Sequence, residues 1–341
     1  MTSEGTALRF TGVRFSGPLF VVGMPRSGTK LVRALLNQHS GIGLTTAESH
    51  FIPFLVRRYG NPPPFRDSID VEDLLRELGT TPFAAALRRD GRWPEPALLA
   101  PSVDPRSWAS ILERLLRACG SKPDRPDLVW GDKTPGYVSH LPLLAEIFPG
   151  ARFLHVLRDP RDHCLSVKKS FGKDPIRAAD RWRVSVERAR RDGASLPAAY
   201  LELRYEVLLE DPERAMREVC AFVGVDYENR MIQLESSQED LGDARGHGGI
   251  VRGNSGKWRQ GLGARDVERI ESIVGEVATA AGYRLTYPGR GTRLGRVERA
   301  YRRLKDGVPT LLHHVRHAGS LWPGVRRLIR HRRWSSWRPA Q

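Results

Sequence analysis

The sequence predicts an α/β fold, a mostly parallel sheet with helices on both faces, and two observations carry the prediction. Leu19 to Val22 is an apolar run of strand length, followed by a turn containing Gly23, Pro25, Ser27 and Gly28. Leu31, Val32, Leu35 and Leu36 then recur at helical spacing. The same alternation of a short apolar strand with an amphipathic helix returns along the 341 residues. Such alternation packs as parallel strands with crossover helices. A chain of this length can bury one large core, and a sheet of this size is reasonably one domain.

Each element follows from its own signals. Residues 1–17 form a short polar lead-in. The first strand, loop and helix run from Leu19 to about Gln38, and Gly41 to Thr46 reads as a second strand or extended turn. Residues 54–128 carry Pro-rich breaks between amphipathic segments such as Val71 to Leu78 and Trp108 to Ala118, and are read as an inserted helical region. Trp130 to Pro135 opens the next unit, with a helix around Leu143 to Phe148 stopped by Pro149-Gly150. Ala151 to Leu157 is a further strand, and a helix carrying Ser166 follows. Arg177 to Arg191 is helical and Tyr200 to Arg204 is a strand. Pro212 starts a helix in which Met216, Val219, Cys220 and Val223 recur at helical spacing. Val267 to Ala281 is the last helix of the body, which is taken as residues 1–289.

The formal net charge of +16 is unevenly spread. Residues 290–341 hold fourteen Arg or Lys against Glu298 and Asp306, a net of +12, which leaves +4 on the rest. That balance weakens a nucleic-acid-binding reading for the body and leaves it open for the tail. The tail has helical pieces, Leu294 to Leu304 and Val325 to Arg333, and sets Trp322, Trp334 and Trp337 among arginines. It reads either as a solvated extension or as an arm for an anionic membrane surface or a polyanion. Cys119, Cys164 and Cys220 are far apart and form no Cys/His cluster, and His313, His314 and His317 lack acidic or cysteine partners. No metal site is expected. Few cysteines suit a reducing compartment. The first residues lack the regions of a secretory signal, and no run approaches a membrane span. The expected location is cytoplasmic, with the tail able to hold the chain at the inner face of the membrane.

The loop Gly23-Met24-Pro25-Arg26-Ser27-Gly28-Thr29-Lys30, between strand and helix, has the geometry that holds a phosphate. It is not the nucleotide-triphosphatase loop, which needs Gly-x4-Gly-Lys-Ser/Thr. Here Thr29-Lys30 follows Gly28, and the basic residue inside the loop is Arg26. A second segment, Arg158-Asp159-Pro160-Arg161-Asp162, runs into the helix with Ser166. With Pro25-Arg26-Ser27-Gly28-Thr29 it resembles the two nucleotide-binding motifs of sulfotransferases that use 3′-phosphoadenosine-5′-phosphosulfate (PAPS). Arg252-Gly253-Asn254-Ser255-Gly256-Lys257-Trp258 is similar to the late Gly-x-x-Gly-x-Trp loop of that family, and the likeness spans Leu19 to Tyr287.

The resemblance implies a P-loop-like sulfotransferase core. It also implies an enzyme that moves a sulfuryl group in line from PAPS to a hydroxyl acceptor, releasing 3′-phosphoadenosine-5′-phosphate (PAP). Residues 54–128 would cover the acceptor side. The backbone of Ser27, Gly28, Thr29 and Lys30 would hold the 5′-phosphate, although Ser27 and Thr29 could equally cap the helix. Arg26 would stand beside the bridging oxygen, where an always-charged guanidinium suits stabilisation rather than proton transfer. Arg158 and Ser166 would hold the 3′-phosphate, and Tyr205 would lie near the adenine or a phosphate. Arg252, Gly253, Lys257 and Trp258 would close over the nucleotide, with Val251 and Gly256 departing from the family pattern. Asp159 and Asp162 would orient arginines.

For the acceptor's proton, Thr46-Ala47-Glu48-Ser49-His50-Phe51-Ile52-Pro53 resembles the tyrosylprotein sulfotransferase stretch whose Glu is the general base, which points to Glu48. Such a base would need its pKa raised by burial. His50 is the second candidate, since an unshifted histidine already titrates in range. Lys133, in Asp132-Lys133-Thr134-Pro135, stands where similar enzymes carry a sulfate-contacting lysine. His140, His155 and His163 are read as structural. The acceptor stays open among a small molecule, a glycan or glycolipid, and a peptide tyrosine. The rival readings are a P-loop kinase and a polyanion- or nucleic-acid-binding protein acting through the tail.

Overall fold

The computed structural model describes residues 15–125, 127–234, 249–287, 289 and 291–307. Five strands, β1 (Leu19–Gly23), β2 (Ile42–Leu44), β3 (Val129–Lys133), β4 (Arg152–Leu157) and β5 (Tyr200–Arg204), form one sheet in the order β2-β3-β1-β4-β5. Every pairing is parallel. Strand β1 is central, and its Leu19 sits against Gly131 on one side and Arg152 on the other. Its side chains alternate: Leu19 and Val21 pack with Val32, Leu35 and Val219, while Phe20 and Val22 pack with Phe51, Leu55 and Trp130. Helices cover both faces, so the strand reads as an unbroken apolar run.

The segment between β2 and β3 is helical, as expected: Ile52–Tyr59, Ser68–Leu78, Pro82–Arg89, Pro96–Leu99 and Trp108–Ala118. Short polar side chains start several of these helices. Asp67 accepts from the amides of Ile69 and Asp70, Thr81 from that of Ala84, and Ser107 from that of Ser110. Their apolar sides, with Leu74, Leu78, Phe83, Leu112 and Leu115, join the core around Phe20. A second core lies among the helices Pro160–Phe171, Pro175–Ala194 and Ala264–Ala280, around Trp182, Ile270 and Val274.

Residues 291–307 keep contact with the body. The helix expected from Leu294 to Leu304 is Arg296–Lys305. Its Arg302 reaches Asp174 at 2.8 Å and its Arg299 reaches Asp180 at 3.1 Å. The Asp306 carboxylate just after it pairs with Arg177 and accepts the Asp174 amide at 2.8 Å. The expected helix Val325 to Arg333, the tryptophans Trp322, Trp334 and Trp337, and His313, His314 and His317 lie outside the described residues. Among the described residues, no helix is long and apolar enough to cross a membrane.

Three of the histidines buried among the described residues are held neutral by the fold. His155 sits in β4 with its Nδ1 2.6 Å from the Tyr200 hydroxyl, His163 lies one turn into the helix Pro160–Phe171, and His140 precedes the helix Leu141–Ile147. Burial, which disfavours the charged ring, pushes His155 and His140 down to about 4 and His163 down to about 3. The folded chain therefore binds fewer protons than the unfolded chain from about pH 6.5 downward, and stability falls as pH falls. Each ring contributes a slope of about 1.4 kcal/mol per pH unit until its folded pKa is reached. The melting temperature is expected to drop between pH 6.5 and 5, opposed in part by Asp132, Asp162 and Glu206, whose carboxyls burial raises. NMR titration of the three rings checks the cause: rings that gain a proton between pH 6.5 and 5 in the folded chain would contradict it.

Candidate active site

All five strands point their C-terminal ends at one edge, and the chain's path divides around β1, with β3 and β2 on one side and β4 and β5 on the other. Open α/β sheets bind ligands at such a switch point. The loop after β1, Lys133 at the end of β3, Arg158 after β4 and Tyr205 after β5 all reach this edge.

Glycines shape the first loop. A Cβ on Gly23 (φ 151°) would lie 2.6 Å from the Val156 carbonyl oxygen. One on Gly28 (φ 92°) would lie 2.3 Å from the Tyr205 ring. Gly28 is the N-cap of the helix Thr29–Gln38, and neither Ser27 nor Thr29 caps it: no side-chain cap hydrogen bond forms among the described residues. A helix start of this kind presents backbone N–H donors and a positive dipole end to an anion. Arg26, inside the loop, has φ 76°. Among the described residues it shares the left-handed region with one other non-glycine residue, His50. Backbone strain of this sort gathers at functional sites.

Arg26 also joins the second motif. Its Nε donates to Ser166 Oγ at 3.2 Å, and its carbonyl accepts from Arg158 Nη1 at 2.9 Å. Arg158 reaches the late loop through Nη2, which donates to the Asn254 carbonyl at 2.9 Å. Its guanidinium carbon lies 4.8 Å from the centre of the Tyr205 ring, and Asn254 Nδ2 donates to the Tyr205 hydroxyl at 2.9 Å. The Arg158 Nε is buried and has no hydrogen-bond partner among the described residues. Arg26, Arg158, Ser166 and Tyr205 thus form one cluster, with an orphaned buried donor inside it. Of the remaining late-loop residues, Lys257 is half-buried, Arg252 and Gly253 are exposed, and Trp258 is buried with the Arg161 guanidinium 3.9 Å from its ring centre.

Across β1, Lys133 is fully buried and its Nζ donates to Glu48 Oε1, while His50 Nε2 donates to the other carboxylate oxygen at 2.9 Å. The Glu48 side chain is 31% exposed. Burial alone would raise its carboxyl, but the Lys133 ammonium and the His50 hydrogen bond outweigh it and hold the carboxyl well below the usual carboxylate range. This corrects the expectation of a raised pKa. Glu48 is firmly ionised, and its partner Lys133 is what limits its basicity. Burial pulls the Lys133 ammonium down, Glu48 opposes that, and Arg33 and Lys30 add to it. The loop around Glu48 is pinned by Asp132, which accepts from Thr45 Oγ1 at 2.7 Å and Ser49 Oγ at 3.2 Å, and by Thr134, which accepts the Ser49 amide at 3.0 Å.

A model of the Sulfotransferase family matches residues 18–229, which hold β1 through β5 and every residue of the two clusters except the late loop. The chain belongs to the Sulfotransferase family. It is 24% identical over 235 residues to protein-tyrosine sulfotransferase 1 of Danio rerio, covering 67% of this chain and 58% of that one. It is 26% identical over 271 residues to the omega-hydroxy-beta-dihydromenaquinone-9 sulfotransferase Stf3 of Mycobacterium bovis, covering 66% and 68%. It spans 30% of a longer relative from Aquifex aeolicus. The sulfotransferase domain from the curacin biosynthetic pathway superposes with a TM-score of 0.51 at 19% identity, over 80% of this chain and 100% of that domain; the likeness is one of fold.

Within this Sulfotransferase family chain, sequence reasoning missed two supports. Asp159 does orient an arginine, taking Arg161 Nη2 at 2.6 Å, whereas Asp162 feels the Arg158 charge but takes its hydrogen bonds from backbone. Its oxygens accept the backbone amides of Gly256 at 2.6 Å and Trp258 at 2.8 Å, tying the late loop to the second motif. Asn254, given no role by the sequence pattern, links Arg158 to Tyr205. Neither partner is within reach of a local pattern, since both bonds cross more than forty residues. No group of three or more His, Cys, Asp or Glu is placed to hold a metal ion among the described residues.

Proposed function

We propose that the chain transfers a sulfuryl group from PAPS to a hydroxyl acceptor and releases PAP. One observation carries the reading: an uncapped helix start in the first loop, with the Arg26–Arg158–Ser166 cluster on the β4 side and the Lys133–Glu48 pair on the β3 side. The amides after Gly28 suit the 5′-phosphate, and Arg26 suits the charge that gathers on the leaving oxygen. Arg158, with its orphaned Nε, and Ser166 suit the 3′-phosphate, and Tyr205 supports Arg158. Lys133 suits the sulfuryl oxygens. As the bond between sulfur and the 5′-phosphate oxygen breaks and a bond to the acceptor oxygen forms, the acceptor's proton passes to Glu48. A sulfuryl group that draws the Lys133 ammonium away would raise the basicity of Glu48 at the moment it is needed. The two named relatives carry a tyrosine and a hydroxylated menaquinone in their names, and the hydroxyl is the feature common to both.

The test follows sulfate from labelled PAPS into hydroxyl-bearing lipids, glycans and tyrosine peptides. Label transferred with equal release of PAP, and lost in Arg26→Ala, is the expected result. Phosphoryl transfer from magnesium ATP with no turnover of PAPS would replace this reading with a kinase.

A further inference from the structure

A helix packed on a protein body normally turns its apolar stripe inward. Arg296–Lys305 does the reverse. The body holds its charged face: Arg302 meets Asp174 at 2.8 Å, Arg299 meets Asp180 at 3.1 Å, and Glu298 meets Arg269 at 3.2 Å. Val297, Tyr301 and Leu304, on one side of the helix, are 84%, 63% and 78% exposed. Exposed cations border this stripe. At about 100° per residue, Lys305 falls on one side of it and Arg296 and Arg303 on the other. Asp174 and Asp180 are themselves buried, so the ion pairs keep the helix from rolling its stripe inward.

We propose that this face rests on an anionic lipid surface. Val297, Tyr301 and Leu304 would enter the boundary between headgroups and acyl chains, and Arg296, Arg303 and Lys305 would meet the lipid phosphates. Charge complementarity selects this occupant. A second copy would set the same cations against each other, whereas the chain continues through residues 308–341 with seven arginines and no Asp or Glu. The surface would bring the enzyme to a lipid-borne acceptor, but its existence does not depend on the nucleotide reading.

The experiment is co-sedimentation of the full chain with vesicles of phosphatidylcholine alone and of phosphatidylcholine mixed with phosphatidylglycerol. Two variants accompany it, Val297→Ser/Tyr301→Ser/Leu304→Ser and Arg303→Glu/Lys305→Glu, all at exposed positions. The full chain is expected to bind the anionic vesicles only, and less as salt is added. Each variant is expected to lose roughly tenfold or more of that binding at an unchanged melting temperature. Wild-type-like binding by the serine variant would overturn the proposal, as would equal binding of the wild type to neutral vesicles. So would a lipid-free dimer that the serine variant breaks, which would assign the face to a second copy. If the serine variant melts early, the charge-reversal variant decides the outcome.

Discussion

Glu48→Gln is expected to lower turnover by roughly 10²–10⁴-fold, the usual cost of removing a general base, while leaving PAP affinity unchanged or tighter. The substitution keeps the volume and removes the charge. In the folded chain that charge is engaged by the buried Lys133 ammonium. Without it Lys133 has no carboxylate partner, and an anionic donor gains a less encumbered cation. The split between binding and turnover is therefore the signature to seek. His50 is the control, because its Nε2 touches the same carboxylate at 2.9 Å. If Glu48→Gln turns over normally while His50→Ala does not, the base is His50 and the Glu48–Lys133 pair is a positioning device.

Arg158→Ala should cost most on the nucleotide side. Arg158 bridges the first loop and the late loop through the carbonyls of Arg26 and Asn254, and it still keeps one buried donor without a partner among the described residues. Charge-assisted hydrogen bonds to a 3′-phosphate contribute on the order of 1.5–3 kcal/mol each, about tenfold or more in affinity. The alanine variant should lose that increment for PAP and keep most of its affinity for 5′-AMP, measured by titration calorimetry. Equal losses for both nucleotides would mean that Arg158 acts only as a strut between loops.

Much of this was legible in the sequence because the signals are local. The run Leu19 to Val22, the segment Trp108 to Ala118 and the strand Tyr200 to Arg204 are found where periodicity and turn residues set them. The loop around Arg26 was legible because its glycines carry backbone requirements, and Gly23 and Gly28 do adopt positive φ. What stayed hidden depends on contacts between distant segments. The pKa of Glu48 is decided by Lys133, 85 residues away, so burial alone gave the wrong direction. The role of Asp162 is decided by amides near residue 257, far along the chain. The helix after residue 295 was expected from its spacing. Its periodicity could not reveal that the charged face meets the body, because that orientation is set by Asp174 and Asp180 on another helix.

The central claim, that the two phosphate motifs read a nucleotide carrying both a 5′- and a 3′-phosphate, is tested most directly by calorimetry of the full chain with PAP and with 5′-AMP. The expected result is binding of PAP at least roughly tenfold tighter than 5′-AMP, without added metal. Equal affinity for the two nucleotides would contradict it.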